Sequence, residues 1–300
     1  MSVACIGGAH IDTRGRILSD NVAPWANPAE VRRIPGGTAC NVALNLGYLG
    51  IRVALFSILG EDVEGRILLD ELARAGVNTL RMLSGGRRPT GTYVQIVDRE
   101  DRRVVAVADM DIYELLDESW AARTVPLLAP YDTWVLDANL PVAALARIVA
   151  GAGSVRVVVD SISTIKARRV ESVLGRVDVL LSGRAEAALL AGISEETSAA
   201  TAAAAIRERG VKTVIISLGV HGAYYDDGVR REHIDPGPSS RAVDPTGISE
   251  GQLAGYLYAL ELGEASPFRW GVALGDLAMQ TPESVRHDLT TGMLRAKMRG

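Results

Sequence analysis

Short apolar runs rich in β-branched residues recur along the chain at Val3 to Ile6, Val53 to Ile58, Thr133 to Leu136, Val155 to Val159, Val177 to Leu181 and Val214 to Ser217. Bounded by polar and glycine-bearing stretches, such runs read as strands buried on both faces. Between most of them the apolar positions return every three or four residues. This period predicts helices over Asn41 to Leu49, Glu64 to Ala75, Ala143 to Ala150, Ile165 to Leu174, Arg184 to Ala191 and Thr197 to Arg209. Strands alternating with helices imply an α/β fold whose mostly parallel sheet is covered on both faces, with ligands bound at the C-terminal strand ends.

Two stretches break the rhythm. Residues Ile11 to Ile34 and Thr92 to Ala108 lack helical periodicity, and the second reads as two strands around the polar turn Asp98-Arg99-Glu100-Asp101. Together they predict a small antiparallel sheet projecting from one main domain over residues 1–300. The Pro236-Gly237-Pro238-Ser239 stretch is a connector before the last helical region.

Composition narrows the function classes. With 48% hydrophobic and 23% charged residues, the 300-residue chain can bury one large core. A net charge of -4, from 32 basic and 36 acidic residues with no basic patch interleaved with aromatics, argues against a nucleic-acid partner. No apolar run approaches the ~18 residues of a membrane span, and the first residues are strand-like rather than a signal segment, so a cytoplasmic location is expected. Cys5 and Cys40 stand in apolar contexts and read as buried thiols. The four histidines have no ligand spacing, so a His-based zinc site is not expected.

Two glycine-bearing turns lead into helices. Asp244-Pro245-Thr246-Gly247-Ile248-Ser249-Glu250 precedes the apolar helix Leu253 to Leu262, and its unpaired N–H groups suit a phosphate. Glu250 there reads either as a general base or as a first-turn carboxylate favoured by the helix dipole. Pro35-Gly36-Gly37-Thr38-Ala39-Cys40-Asn41 is the second turn, where paired glycines admit a ligand to the backbone and Asn41 offers a donor and an acceptor. Asp12, after the first strand, is placed to accept sugar hydroxyls or to cap a turn. Ser217-Leu218-Gly219-Val220-His221-Gly222 ends a buried strand without the spacing of a Walker loop or a dinucleotide fingerprint.

Taken together these motifs resemble the ribokinase-like, PfkB-type carbohydrate kinases. The resemblance rests on Gly36, Gly37 and Asn41, then Leu59-Gly60-Glu61-Asp62, Gly65, Gly76-Val77, Ser217-Leu218-Gly219, Gly222 and Asp244 to Gly247, in the family's order. Ile11-Asp12, Val107 to Ile112 and Asp137-Ala138-Asn139 are most similar to the pseudouridine kinase branch. The resemblance implies a Rossmann-like sheet with a β-lid, and ATP with Mg²⁺, a monovalent cation such as K⁺ being a further candidate. It also implies a sugar or nucleoside acceptor. Independently, the exposed strand edges of the small sheet are natural templates for pairing with a second copy, so a homodimer built through the lid is expected. By the same resemblance Asp12, Gly37 and Asn41 would hold the acceptor's ribose, Thr92 and Tyr93 would approach its base, and Gly36, Asp109 and Asn139 would also belong to the substrate site. Ser217, Gly219, Gly222, Thr246 and Gly247 would contact the nucleotide, Glu186 would stand near the metal, and Glu250 with Gly247, Ile248 and Ser249 would form the catalytic turn.

Two departures stand out. The family's Gly-Ala-Gly-Asp turn is here Gly247-Ile248-Ser249-Glu250, where Ser249 is expected to strain the turn and the longer Glu250 to shift the base by about 1 Å. The family's Lys-Pro-Asn-x-x-Glu motif is here Leu181 to Glu186, keeping only the Glu. A kinase-like protein that binds nucleosides without turning them over is therefore the alternative. A Rossmann oxidoreductase is weaker, because Gly7-Gly8-Ala9-His10 is not a dinucleotide fingerprint.

Overall fold

The computed structural model describes residues 2–20, 22–236 and 246–299. Asp244 and Pro245 of the predicted anion turn, and Gly237 to Ser239 of the predicted connector, lie outside the described residues. In chain order the strands are β1 (Ser2–Ile6), β2 (His10–Ile17), β3 (Ala29–Gly36), β4 (Arg52–Phe56), β5 (Ile58–Leu59), β6 (Leu83–Ser84), β7 (Thr92–Val97) and β8 (Arg103–Asp109). They continue with β9 (Thr133–Asp137), β10 (Arg156–Asp160), β11 (Val179–Gly183), β12 (Thr213–Ser217), β13 (Ala223–Asp226) and β14 (Arg231–Ile234). The helices are α1 (Thr38–Tyr48), α2 (Val63–Arg74), α3 (Glu118–Leu128), α4 (Val142–Ala150), α5 (Thr164–Ala167), α6 (Arg184–Ala191), α7 (Ala199–Glu208), α8 (Ile248–Leu262), α9 (Pro267–Ala278) and α10 (Thr291–Arg299).

The main sheet runs β14-β13-β12-β11-β10-β9-β1-β4. It is parallel from β12 to β4, and β13 and β14 add an antiparallel edge. Successive residues of β1 alternate between two cores. Val3 and Cys5 pack with α1, α8 and α9, whereas Ala4 and Ile6 pack with α3, α4, α6 and α7. Burial on both faces is why these strands are continuous apolar runs. The predicted helix from Ile165 becomes the short α5 followed by a 3₁₀ segment over Arg168–Arg176. Cys5 and Cys40 are free and buried. Among the described residues no helix is long and apolar enough to cross a membrane.

The second, four-stranded sheet runs β3-β2-β7-β8. Its outer pairs are antiparallel, and β2 meets β7 in parallel. Cross-strand partners share a face, so Asp12, Ile34, Tyr93 and Ala108 stand on one side. Thr92 and Asp109 are partners on the other.

Helices α8 and α9 cross at unusually close range because each carries glycines one turn apart. A Cβ at Gly255 would lie 2.5 Å from Trp270 O, and one at Gly271 would lie 2.5 Å from Gln252 O. This packing fixes the N-terminus of α8 over the strand ends.

Candidate active site

At the C-terminal ends of β9 and β10, Asp137 and Asp160 are register partners on adjacent strands. Asp137 is 1% exposed and works as a buried backbone anchor. Its Oδ2 accepts the N–H groups of Gly8 and Ala39, each at 2.9 Å, and its Oδ1 accepts that of Asn139 at 2.9 Å. One carboxylate thereby ties the β1–β2 turn, the entrance of α1 and the β9 exit together. Gly7 must be glycine for this, since its φ is 154° and a Cβ would stand 2.4 Å from the carboxylate. Charge-assisted hydrogen bonds contribute about 1.5–3 kcal/mol each, and a buried orphan donor costs about 1–3. Asp137→Ala is accordingly expected to lose about 3–5 kcal/mol of stability in a urea titration; a loss under about 1 kcal/mol would contradict this anchoring role.

Asn41, Asp12 and Asn139 surround that anchor. Asn41 is 2% exposed, and its Oδ1 is a buried acceptor with no hydrogen-bond partner among the described residues. Such orphans are rare in folded proteins, and a ligand hydroxyl is the natural partner. Asp12 lies against Gly36, where a Cβ would be 2.4 Å from its Oδ2. Gly37, at φ 94°, brings the start of α1 within 2.4 Å of Gly8 O by the same measure. Asn139 is buried, and its Oδ1 accepts from Lys166 Nζ at 2.5 Å while Arg169 donates to its carbonyl at 3.1 Å. Burial lowers the pKa of Lys166, and the charge of Asp137 opposes that. Tyr93 is half-buried on the face of the small sheet that carries Asp12. Asp109 is exposed and Thr92 is half-buried, both on the opposite face, so the structure does not bring these two to Asp12.

From Asp160, the neighbour of Asp137 in the sheet, opens a cavity of about 260 Å³ lined by Asp160, Gly183, Glu186, Ser217, Gly219, Ile248 and Ser249, with Ile162 on its wall. It combines the exits of β10, β11 and β12 with the N-terminus of α8. No side chain caps α8, and its first backbone bond within the helix runs from Gly251 N–H to Gly247 O. Among the described residues the preceding N–H groups, of Ile248, Ser249 and Glu250, have no backbone acceptor, which leaves them for an anion at the positive end of the helix dipole. Gly247 makes the turn possible. Its φ is 84°, and a Cβ would lie 2.0 Å from Ser284 O.

Ser249 does not strain this turn, contrary to the expectation from the sequence. The left-handed position is Gly247, while Ser249 lies within the helix and is absent from the positive-φ residues. Its hydroxyl instead donates to Glu250 Oε2 at 2.8 Å and holds that carboxylate. The strained residue beside the cavity is Ile162, a β-branched side chain at φ 62°. That conformation costs on the order of 1–3 kcal/mol and occurs where function requires it. The Ile162 N–H donates to Asp160 Oδ1 at 2.7 Å.

Asp160 has an unusual electrostatic setting. Burial raises its pKa well above the usual carboxylate range, with the charges of Glu250, Asp137 and Glu186 adding to the shift and the Ile162 hydrogen bond opposing it. A carboxyl raised in this way penalises the fold from the unfolded-state pKa upward, where the unfolded chain gives up its proton more readily. Relief of that penalty by Asp160→Asn is expected to raise Tm near pH 8, by about 2–4 °C per kcal/mol, and the gain should vanish as pH falls to about 4. A gain independent of pH would contradict the charge explanation.

Among the described residues no three His, Cys, Asp or Glu side chains converge closely enough to chelate a metal on their own. The donor set fits Mg²⁺ held mainly by phosphates and water with one or two carboxylates, here Glu186 and Asp160. Glu186 folds back over Gly183, where a Cβ would meet its Oε2 at 2.3 Å. Ser217 and Gly219 line the cavity. Gly222 closes the same turn from outside, packed against Ile234 O, and Thr246 is exposed just before Gly247. Asp160, Lys166 and Tyr113 escaped the sequence reading, and Asp137 entered it only as part of Asp137-Ala138-Asn139, without its anchoring role. An Asp ending each apolar strand, in Val135-Leu136-Asp137 and Val158-Val159-Asp160, was the available signal for Asp137 and Asp160.

The sequence pattern of the pfkB family carbohydrate kinases matches residues 1–284. The pseudouridine kinase of Escherichia coli is 29% identical over 255 residues, covering 84% of this chain and 82% of that protein. A ribokinase of Haemophilus influenzae is 24% identical, covering 75% and 74%. Among solved structures, a carbohydrate kinase from Agrobacterium tumefaciens superposes with a TM-score of 0.84 at 27% identity, covering 100% of this chain and 97% of that one. Arabidopsis thaliana ribokinase complexed with ribose and ATP superposes at 0.85 with 18% identity, covering 100% and 99%. With matching fold, motif order and sequence pattern, the chain belongs to the pfkB family of carbohydrate kinases.

Proposed function

We propose that this chain is a cytoplasmic ATP-dependent kinase that phosphorylates the ribose 5′-hydroxyl of a nucleoside, and that pseudouridine is its acceptor. The observation that carries the reading is the pairing of two half-sites across one strand step. A cluster of polar residues with an unsatisfied buried acceptor on Asn41 stands with Asp137, and an anion cavity lined by Ile248 and Ser249, the residues before Glu250, includes Asp160. The similarity to a pseudouridine kinase favours that nucleoside as the acceptor.

In this reading Asp12 and Asn41 accept the ribose hydroxyls and so orient the 5′-hydroxyl toward Glu250. Glu250 takes the hydroxyl proton as the oxygen attacks the γ-phosphorus, and ADP leaves with the bridging oxygen. The N–H groups of Ile248, Ser249 and Glu250 stabilise the charge on the transferred group. Mg²⁺, when bound with the nucleotide beside Glu186 and Asp160, supplies neutralisation of phosphate charge. The small sheet, acting as a lid over residues 11–34 and 92–108, excludes water that would otherwise hydrolyse ATP. The hydrogen bond from Ser249 to Glu250 favours an active enzyme over a binding protein, because it orients a carboxylate that binding alone does not need. An ATP-dependent assay across pseudouridine, uridine, ribose, adenosine and fructose 6-phosphate tests the substrate. Fastest turnover of pseudouridine is expected; faster turnover of a free sugar than of any nucleoside would reject it.

The lid also supplies a surface for a second copy of the chain. Val31, Val105 and Val107 lie on the face away from Asp12 and are 64%, 50% and 60% exposed. A homodimer through this face is expected in light scattering at high micromolar concentration, and Val105→Lys with Val107→Lys is expected to yield monomers. A wild-type monomer would contradict it.

A further inference from the structure

His10, Tyr113 and Asp12 form a line of hydrogen bonds at the proposed acceptor site. His10 is 8% exposed and Tyr113 2% exposed. His10 Nδ1 lies 2.9 Å from Tyr113 Oη, and its Nε2 lies 3.1 Å from Asp12 Oδ1. Each contact restricts where protons can be. An ionised carboxylate only accepts, so Nε2 carries its hydrogen in the neutral and the cationic imidazole alike. Tyr113 is held as a phenol, chiefly by burial, and faces an Nδ1 that is bare in the neutral ring because Nε2 keeps the hydrogen. Its own O–H is then left to donate to the lone pair on Nδ1 of the neutral ring. Donation runs one way, from Tyr113 through His10 to Asp12.

The consequence falls on Asp12. One oxygen is bound by His10, and the carboxylate rests on Gly36, where no Cβ could fit. Its plane and rotation are thus set before any ligand arrives. We propose that His10 is a positioning residue of the acceptor site, held in a single tautomer by Tyr113 so that the remaining lone pairs of Asp12 face the acceptor's sugar hydroxyls. The role of Asp12 rests on the kinase reading above; the hydrogen bond from His10 does not. Pre-orientation of this kind lowers the cost of acceptor binding and leaves the chemical step untouched.

The first arm of the test needs no acceptor. The chain holds four histidines, so ¹⁵N-histidine spectra of the wild type near pH 8, assigned with His10→Ala, report the tautomer directly. An Nε2–H ring with an accepting Nδ1 is expected, and an Nδ1–H ring overturns the proposal. The second arm is kinetic. His10→Ala should raise the acceptor KM by about 10–100-fold with kcat and the ATP KM within about threefold. His10→Gln, whose amide nitrogen can replace Nε2, should recover most of the loss. Tyr113→Phe should shift the acceptor KM in the same direction by less, and His10→Ala should add nothing in an Asp12→Ala background. A fall in kcat at unchanged KM, or an equal loss in the Gln variant, overturns the proposal. A wild type that phosphorylates no acceptor rejects the kinase reading instead, and the tautomer still decides the bond between His10 and Asp12.

Discussion

Glu250→Gln is expected to lower turnover by about 10²–10⁴-fold, the usual contribution of a general base, while the KM values for ATP and acceptor stay within about threefold. The substitution keeps the side chain's length and can keep the contact from Ser249, so the first turn of α8 should hold its shape. What disappears is the ability to take a proton. Ser249→Ala should give a smaller loss, since it frees the carboxylate to rotate without removing it. Steady-state kinetics on the three proteins separate these effects. Unchanged turnover in Glu250→Gln would mean that catalysis does not depend on this carboxylate.

Gly247→Ala should damage both stability and activity. The left-handed backbone at φ 84° costs an alanine about 1–2 kcal/mol, and forcing a methyl against Ser284 O adds about 1–3 more. A stability loss of about 2–5 kcal/mol is therefore expected in urea titration. Relief of the clash requires the turn to move away from Ser284, which carries the N–H groups of Ile248 and Ser249 with it. A shift of about 1 Å at the reacting atoms can lower turnover by about 10²-fold. Ala at position 251, facing Gly275 across the α8–α9 contact, is a useful contrast. There a Cβ meets its nearest neighbours at 3.2 Å, so the cost should be smaller and turnover largely kept.

The main sheet was legible because its strands are buried on both faces and therefore uniformly apolar, as in Val157-Val158-Val159 of β10. Three helices were not. α3 carries Pro126 within it, and α9 carries Gly271 and Gly275, which lower intrinsic helix propensity but permit the close crossing with α8. α10 is polar over most of its length and buries only Leu294, so its apolar period is faint. Local pattern cannot register such tertiary reasons.

The site divides in the same way. Gly36, Gly37, Asn41, Gly247 and Glu250 sit in turns whose glycines and helix entrances mark them in the sequence. Asp137 and Asp160 are single residues at strand ends, and their partnership follows only from parallel registration across 23 residues of chain. Ser249 was misjudged because the sequence could not say which residue of the turn takes the left-handed conformation. Lys166 meets Asn139 only because α5 folds back over the β9 exit.

Transfer between the two half-sites is the central claim, and the fate of the γ-phosphoryl group tests it most directly. With γ-¹⁸O-labelled ATP, Mg²⁺ and pseudouridine, mass spectrometry should find the label in a 5′-monophosphate of the nucleoside, formed in equal amount to ADP. Label appearing only in inorganic phosphate, or no ADP from a protein that binds both ligands, would contradict it.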